Sequence, residues 1–301
     1  MIRLGTRTSA LALAQARSVA AALGEAQVEV VPMRTEGDRL AEARLAVVGG
    51  KGLFVREIEE ALLRGDIDLA VHSLKDLPAA SPAGLALVAF PPREDPRDVL
   101  VANSPATLDT LPCRARVGTS SPRRCALLLS LRPDLTVEPL RGNVDTRLRK
   151  LAAGDWDALV LALAGLRRLG LAPEHAAPLD PDVFVPAVGQ GIIAVEARAD
   201  DRPTRALLAR ADDPATRACA LAERAYLARL GASCSSPMAA HARLEAGTLR
   251  MTAIVASEDG RRVLRSSAAA PAADAADLGR GLAETLLAQG AAGVAALKPV
   301  A

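Results

Sequence analysis

The sequence predicts an α/β protein with two similar, mainly parallel-sheet domains, followed by a small α+β C-terminal domain. Three observations predict it. Short apolar runs of strand length alternate with capped helical stretches through most of the chain, the order that parallel sheets with crossover helices require. The stretch Leu4-Gly5-Thr6-Arg7-Thr8-Ser9 has a weak echo in Val117-Gly118-Thr119-Ser120-Ser121-Pro122, so one strand–turn–helix unit occurs twice. At 301 residues, half of them apolar, the chain exceeds one typical core and can fill two or three.

Each element has a local reason. Ile2 to Gly5 reads as a strand, and Thr6 to Ser9 supply caps for a helix that Gly24 ends. Gln27 to Met33 alternates like a strand, and Asp38 to Gly52 lacks periodicity and reads as a long loop. Leu53 to Arg64 is a helix with Phe54, Ile58, Ala61 and Leu62 on one face, stopped by Gly65. Ile67 to Val71 is a buried strand running into His72-Ser73-Leu74-Lys75-Asp76, and Leu85 to Phe90 is another. The Pro-rich Pro91 to Pro96 reads as a hinge. Beyond it, strands are expected at Val99–Val101, Ala115–Val117, Leu135–Leu140 and Ala158–Leu163. One helix opens on Pro122, whose fixed φ suits a first helical position, and another runs from Asn143 to Ala153. Ile192 to Glu196 returns as a strand to the first unit. From Pro214 a helix reaches Leu230; two or three strands between Met238 and Ser267 and a helix near Ala273–Leu287 complete the chain. The expected domains are therefore 1–91 with 192–210, then 96–187, then 214–301.

Charge is concentrated. From Arg114 to Lys150 the chain carries nine cations (Arg114, Arg116, Arg123, Arg124, Arg132, Arg141, Arg147, Arg149, Lys150) against Asp134, Glu138 and Asp145, a net 9 − 3 = +6, while the whole chain is +2. A solvated helix face is the bland reading. Several of these cations directly follow turn or cap residues, where free N–H groups also point outward, and this favours a site for a multiply anionic ligand. The small net charge and 2% aromatic content argue against a nucleic-acid binder. The four cysteines (Cys113, Cys125, Cys219, Cys234) show no metal-ligand spacing, so the reading includes no metal. The longest apolar run, Ala158 to Leu166, is half a membrane span, and Gln15 and Arg17 interrupt any signal-like start. A cytoplasmic protein without membrane partners is expected.

Three more residues carry possible chemistry. Lys75-Asp76 follows a buried strand, the edge where α/β folds place ligand residues; a surface ion pair or a helix cap is the equal alternative. Cys234 lies in the Gly/Ser/Pro-rich loop Gly231 to Pro237, where a thiol serves as nucleophile or attachment point, or is simply packed. His72, beside a core strand, and His241, on a strand, read as structural.

At this point the motifs spell a family. GTRTSALALAQ at the start, GGKGLFVREIE (Gly49–Glu59), DIDLAVHSLKDLP (Asp66–Pro78), REDPRDVL (Arg93–Leu100), VGTSSPRR, LRGNVDTRL, AGLRRLG, PAVGQG and ERAYLARLGASC resemble the hydroxymethylbilane synthase, or porphobilinogen deaminase, family in order from Arg3 to about Met238. The resemblance implies a three-domain enzyme whose first two lobes form a periplasmic-binding-protein-like cleft. It would join four porphobilinogen molecules head to tail with release of ammonia, giving linear hydroxymethylbilane for tetrapyrrole synthesis. A dipyrromethane cofactor, thioether-bound to Cys234, would act as primer. By motif position, Asp76 would be the catalytic carboxylate, stabilising the cationic azafulvene and pyrrolenine species. Lys75, Thr119, Ser121, Arg123 and Arg124 would hold cofactor carboxylates. Arg7, Ser9, Gln15, Arg141, Arg147 and Arg168 would receive the incoming ring or growing chain. Lys51 and Phe54 would belong to a flexible segment over the cleft, and Gln190 to a crossover between the first two domains. A monomer is the family expectation. The cofactor cysteine here follows Ala232-Ser233, where many members have Gly-Gly. The rival reading is a two-lobed carboxylate- or oxyanion-binding protein, which would need neither Cys234 nor Asp76.

Overall fold

The computed structural model describes residues 1–24, 28–35, 55–231, 236–295, 297 and 299. The expected loop at Asp38–Gly52 lies outside them. The chain begins β1 (Ile2–Arg7), α1 (Ala10–Leu23), β2 (Val28–Met33), α2 (Arg56–Arg64), β3 (Leu69–Ser73), a 3-10 turn (Leu74–Asp76) and β4 (Leu85–Ala89). It continues with β5 (Asp98–Ala102), β6 (Arg116–Gly118), α3 (Pro122–Leu131), β7 (Thr136–Glu138), α4 (Val144–Ala152), β8 (Ala158–Ala162), α5 (Leu163–Arg168) and β9 (Ala176–Pro178). Then come β10 (Ile193–Arg198), α6 (Arg202–Leu208), α7 (Pro214–Leu230), β11 (Met238–Glu245), β12 (Thr248–Ala256), β13 (Val263–Pro271), α8 (Ala275–Ala288) and α9 (Ala291–Val294).

Caps explain where the helices start and stop. Ser9 begins α1 by accepting from the Ala12 N–H at 3.3 Å, and Ser121 begins α3 by accepting from the Arg124 N–H at 3.4 Å. Gly65, left-handed at φ 76°, ends α2, where the N–H groups of Gly65 and Asp66 reach the Leu62 and Ala61 carbonyls. Short elements with weak local signals, β9, α5 and α6, are additions to the sequence reading. His72 and Ser73, expected just past a strand, lie inside β3, paired with Ala194 and Ile193 of β10.

Contacts group the chain into two compact units, 1–94 with 192–217, and 95–191 with 218–301. The first holds the sheet β2-β1-β3-β10-β4 and the second the sheet β7-β6-β8-β5-β9. In each, four strands point one way. The reversed one is β10, between β3 and β4, in the first and β5, between β8 and β9, in the second. The mainly parallel character expected from the β/α alternation is present, and so is the echo: Gly5 pairs with Ala70 as Gly118 pairs with Leu159. The first sheet is packed by α1 through Ala16, Val19 and Ala20. Its other face meets Ile58, Ala61 and Leu62 of α2.

The second unit also contains the antiparallel sheet β11-β12-β13, the α+β part expected after Pro214. Its Ala239 and Ile254 share a core with Val117, Leu127 and Leu128. Tyr226 of α7, fully buried, donates to the Ile254 carbonyl at 2.9 Å. At Gly279 of α8 an added Cβ would sit 2.0 Å from the Ala222 carbonyl oxygen, so only glycine permits that helix crossing. No helix among the described residues is long and apolar enough to cross a membrane.

Candidate active site

Each five-stranded sheet presents predicted site residues just beyond its strand ends, where open α/β sheets bind ligands. In the second unit the organising group is Asp98, the first residue of β5 and fully buried. Arg123 donates through Nη1 to Asp98 Oδ2 at 2.7 Å and to the Val185 carbonyl at 2.8 Å. Arg124 donates through Nε to Asp98 Oδ1 at 2.9 Å and through Nη1 to the Val160 carbonyl at 2.9 Å. The Gln190 amide donates to Asp98 Oδ1 at 3.2 Å and to the Pro96 carbonyl at 2.7 Å. Burial alone would raise the Asp98 carboxyl. The charges of Arg123 and Arg124, with hydrogen bonds from Arg123 and Gln190, outweigh it and hold Asp98 down to about 2.

Positive charge exceeds what Asp98 neutralises. Arg124 is lowered by burial and by Arg123, against the opposing pull of Asp98. Arg147 on α4, whose Nε donates to the Gly142 carbonyl at 2.7 Å, is lowered to about 10 by burial and by Arg124. Arg123 also has a buried Nε without a hydrogen-bond partner. Two guanidiniums share the Asp98 carboxylate and a third lies within reach of the Arg124 charge, an arrangement suited to binding further carboxylates.

The remaining predicted residues of this unit have varied places. Thr119 is buried and its hydroxyl accepts from the Ser121 N–H at 3.2 Å, while Ser121 caps α3. Both hydroxyls therefore shape the turn that delivers the arginines. Arg168, at the end of α5, donates to the Gly191 carbonyl at 2.7 Å, and Arg141 is exposed. Of the cations given the bland reading, Arg116 pairs with Glu138 at 2.9 Å and Arg132 with Asp134 at 2.8 Å.

In the first unit one cavity gathers Arg7, Ser9, Gln15 and Asp76, with His72 and Ser73 also on its wall. Gln15, buried, exchanges hydrogen bonds with Ser73: its Nε2 donates at 2.8 Å and its Oε1 accepts at 3.1 Å. That pair joins α1 to the end of β3. Asp76 is exposed at the close of the 3-10 turn, whose Leu74 N–H donates to the Ile192 carbonyl at 3.0 Å; Lys75 beside it is half-buried. One guanidinium, a hydroxyl, an amide and an exposed carboxylate thus face a common space. Lys51, Phe54 and Cys234 lie outside the described residues.

Asp98 is the group that residue-by-residue reading missed. Its signal was an acid opening the apolar run Asp98 to Ala102. A charge at such a position must find partners when the strand is buried.

Residues 2–206 match the family described as porphobilinogen deaminase, dipyromethane cofactor binding domain, and residues 217–288 match porphobilinogen deaminase, C-terminal domain. The chain belongs to the porphobilinogen deaminase family. Similar relatives include the porphobilinogen deaminase of Syntrophotalea carbinolica, 50% identical over 294 residues, with 96% of this chain and 93% of the relative covered. That of a Roseiflexus species is 52% identical, with 95% and 96% covered, and that of Acidithiobacillus ferrooxidans 51%, with 97% and 96%. The domain matched by residues 2–206 is described as one that binds a dipyromethane cofactor. The residues present fit such a group: the partnerless Nε of Arg123 and the crowded Arg147 supply positive charge that carboxylates would satisfy.

Proposed function

We propose that this chain joins four porphobilinogen molecules head to tail into linear hydroxymethylbilane, releasing ammonia at each addition, as hydroxymethylbilane synthase. The observation that carries the reading is the charge imbalance around Asp98. Arg123 and Arg124 share that one carboxylate, and Arg147, near enough to Arg124 to be lowered by its charge, adds a third cation, an excess that matches a substrate and product built from acetates and propionates. When bound through Cys234, the dipyrromethane supplies the pyrrole end to which the first incoming ring is joined.

Every other task falls to side chains. Arg124 and Arg147, assisted by Arg123, Arg141, Arg168 and Lys75, hold carboxylates and so fix ring orientation; Thr119 and Ser121 shape the turn and offer hydroxyls. Arg7, Ser9 and Gln15 receive the incoming substrate. In each addition the aminomethyl C–N bond breaks and ammonia leaves. A C–C bond then forms between rings, and the attacked ring loses a proton; release of the finished chain breaks its one bond to the primer and takes up one water, which supplies the hydroxyl of the hydroxymethyl end. Asp76, exposed beside Arg7, stabilises positive charge on a ring nitrogen and carries a proton between ring and leaving amine. Lys51 and Phe54 would cover the substrate. Gln190, bonded to Pro96 and Asp98, ties residue 190 to the start of β5 within the second unit. The same reading includes a monomer in the cytoplasm, no nucleic-acid partner, and a three-way division of labour: Asp76 in the first domain, the arginines in the second, Cys234 in the third.

Incubation with porphobilinogen tests the activity: stoichiometric ammonia and hydroxymethylbilane are expected, and binding without ammonia release would overturn it. Intact mass tests the tether. The purified protein should exceed its sequence mass by two linked pyrroles, and Cys234→Ser should lose that increment; an active protein of unmodified mass would refute the cofactor assignment.

A further inference from the structure

On the α2 face of the first sheet lies a polar cluster that the proposed chemistry leaves unused. Alternation along β3 sends Leu69 and Val71 into the core under α1, and Ala70 to the opposite face against α2. His72 shares the face of Ala70. Glu196 of β10 pairs directly with Ala70, so it lies on that face as well. His72 Nε2 stands 3.3 Å from Glu196 Oε2, with side-chain exposures of 3% and 1%; the contact is a charge-pair approach, and among the described residues neither atom makes a hydrogen bond. On α2, Glu59 completes the cluster. Burial first, and then the charge of Glu196, push its carboxyl up against the pull of His72.

A buried acid and a buried imidazole this close form an interdependent pair: removing either leaves the other without its nearest opposite partner. Their place gives the pair a use. His72 precedes Asp76 by one residue of β3 and a single 3-10 turn, and it lines the cavity that Asp76 faces. Strand β10 and the residue before it therefore hold this segment twice, by the Ile192 carbonyl on Leu74 N–H and by Glu196 on His72. Ser73, between the two grips, turns to the opposite face to meet Gln15. An ordinary apolar pair would fill the same space without imposing direction.

We propose that His72 is a positioning residue: through its contact with Glu196 it fixes the end of β3 so that Asp76 is presented at one place on the cavity wall. The inference rests on the role given to Asp76. The two failures are distinguishable: full turnover by Asp76→Asn would remove that role and the inference with it, whereas unchanged kinetics in the His72 variant beside an inactive Asp76→Asn would remove the positioning alone.

The decisive variant is His72→Leu with Glu196→Met, an apolar pair of similar volume that removes the mutual dependence and should keep the fold. Steady-state kinetics on the holoenzyme should give a kcat lower on the order of tenfold with KM within about twofold, at a melting temperature within a few degrees of the parent. A kcat within about twofold of the parent would mean the pair only fills space, and would overturn the proposal. Glu196→Gln serves if that variant does not fold. The amide keeps a polar oxygen facing His72, so kcat should stay within about threefold, whereas Glu196→Ala should lose on the order of tenfold. Equal rates in these two single variants would equally sink it.

Discussion

In the first sheet the reversed strand carries a buried acid, Glu196, that meets a histidine; in the second the reversed strand carries a buried acid, Asp98, that meets two arginines. The frames match closely enough to compare position by position. Asp98 pairs with Ala162, the last residue of β8, just as Ile193 pairs with Ser73, the last residue of β3. In both, the residue after that strand donates its N–H to the residue before the reversed one: Leu163 to Arg97, Leu74 to Ile192. The acids differ in depth. Asp98 stands at the strand end, where it meets the first arginines of α3. Glu196 stands three residues further in, beneath α2. Both acids are buried, but one at the strand end orders the arginines of α3, whereas one inside the strand orders a neighbouring strand. The capped helices diverge similarly: Ser9 leads into Ala10-Leu11-Ala12, Ser121 into Pro122-Arg123-Arg124. The same cap geometry thus starts an apolar helix in one unit and a cationic one in the other.

Four variants would break or sharpen this contrast. The largest effect belongs to the first sheet: Asp76→Asn should lower turnover by about 10²–10⁴-fold, the range for a lost proton-transfer group, with the circular dichroism of the folded chain unchanged. Near-normal ammonia release would remove Asp76 from the chemistry. Next is Asp98→Ala, which leaves two buried guanidiniums without their carboxylate and should cost about 3–5 kcal/mol in urea unfolding. Arg124→Leu should then yield folded protein without stable cofactor, read by intact mass. The smallest is Arg147→Met. Burial and Arg124 already work against that charge, so stability should hold or rise by about 0.5–1 kcal/mol while substrate binding weakens. A clear loss of stability would place Arg147 among the structural cations.

The comparison also has a pH signature. Asp98 has a folded value near 2, below its ordinary 3.8, so its contribution is fully present above about pH 4 and is lost as pH falls toward 2. Acid unfolding of Asp98→Asn should therefore lack that part of the transition.

Local signals in the chain reached far. The caps at Ser9 and Ser121, the stop at Gly65 and the periodicity of α2 made the repeated unit visible, because each acts within a few residues. Motif resemblance then picked out Arg7, Ser9, Gln15 and Asp76, which share one cavity. What stayed hidden depends on distant partners. Asp98 finds Arg123 25 positions away, across a sheet crossing that no local pattern announces. His72 read as an ordinary core histidine because its partner sits on β10, brought in by the returning strand. β9 is three residues, Ala176 to Pro178, that become a strand only by pairing with β5.

The central claim is that the first sheet does the chemistry and the second holds the anion. Intact mass of folded Asp76→Asn beside folded Arg124→Leu tests it most directly. The account predicts at least the two-pyrrole increment on Asp76→Asn and the bare sequence mass for Arg124→Leu. A full increment on Arg124→Leu, or none on Asp76→Asn, would contradict it.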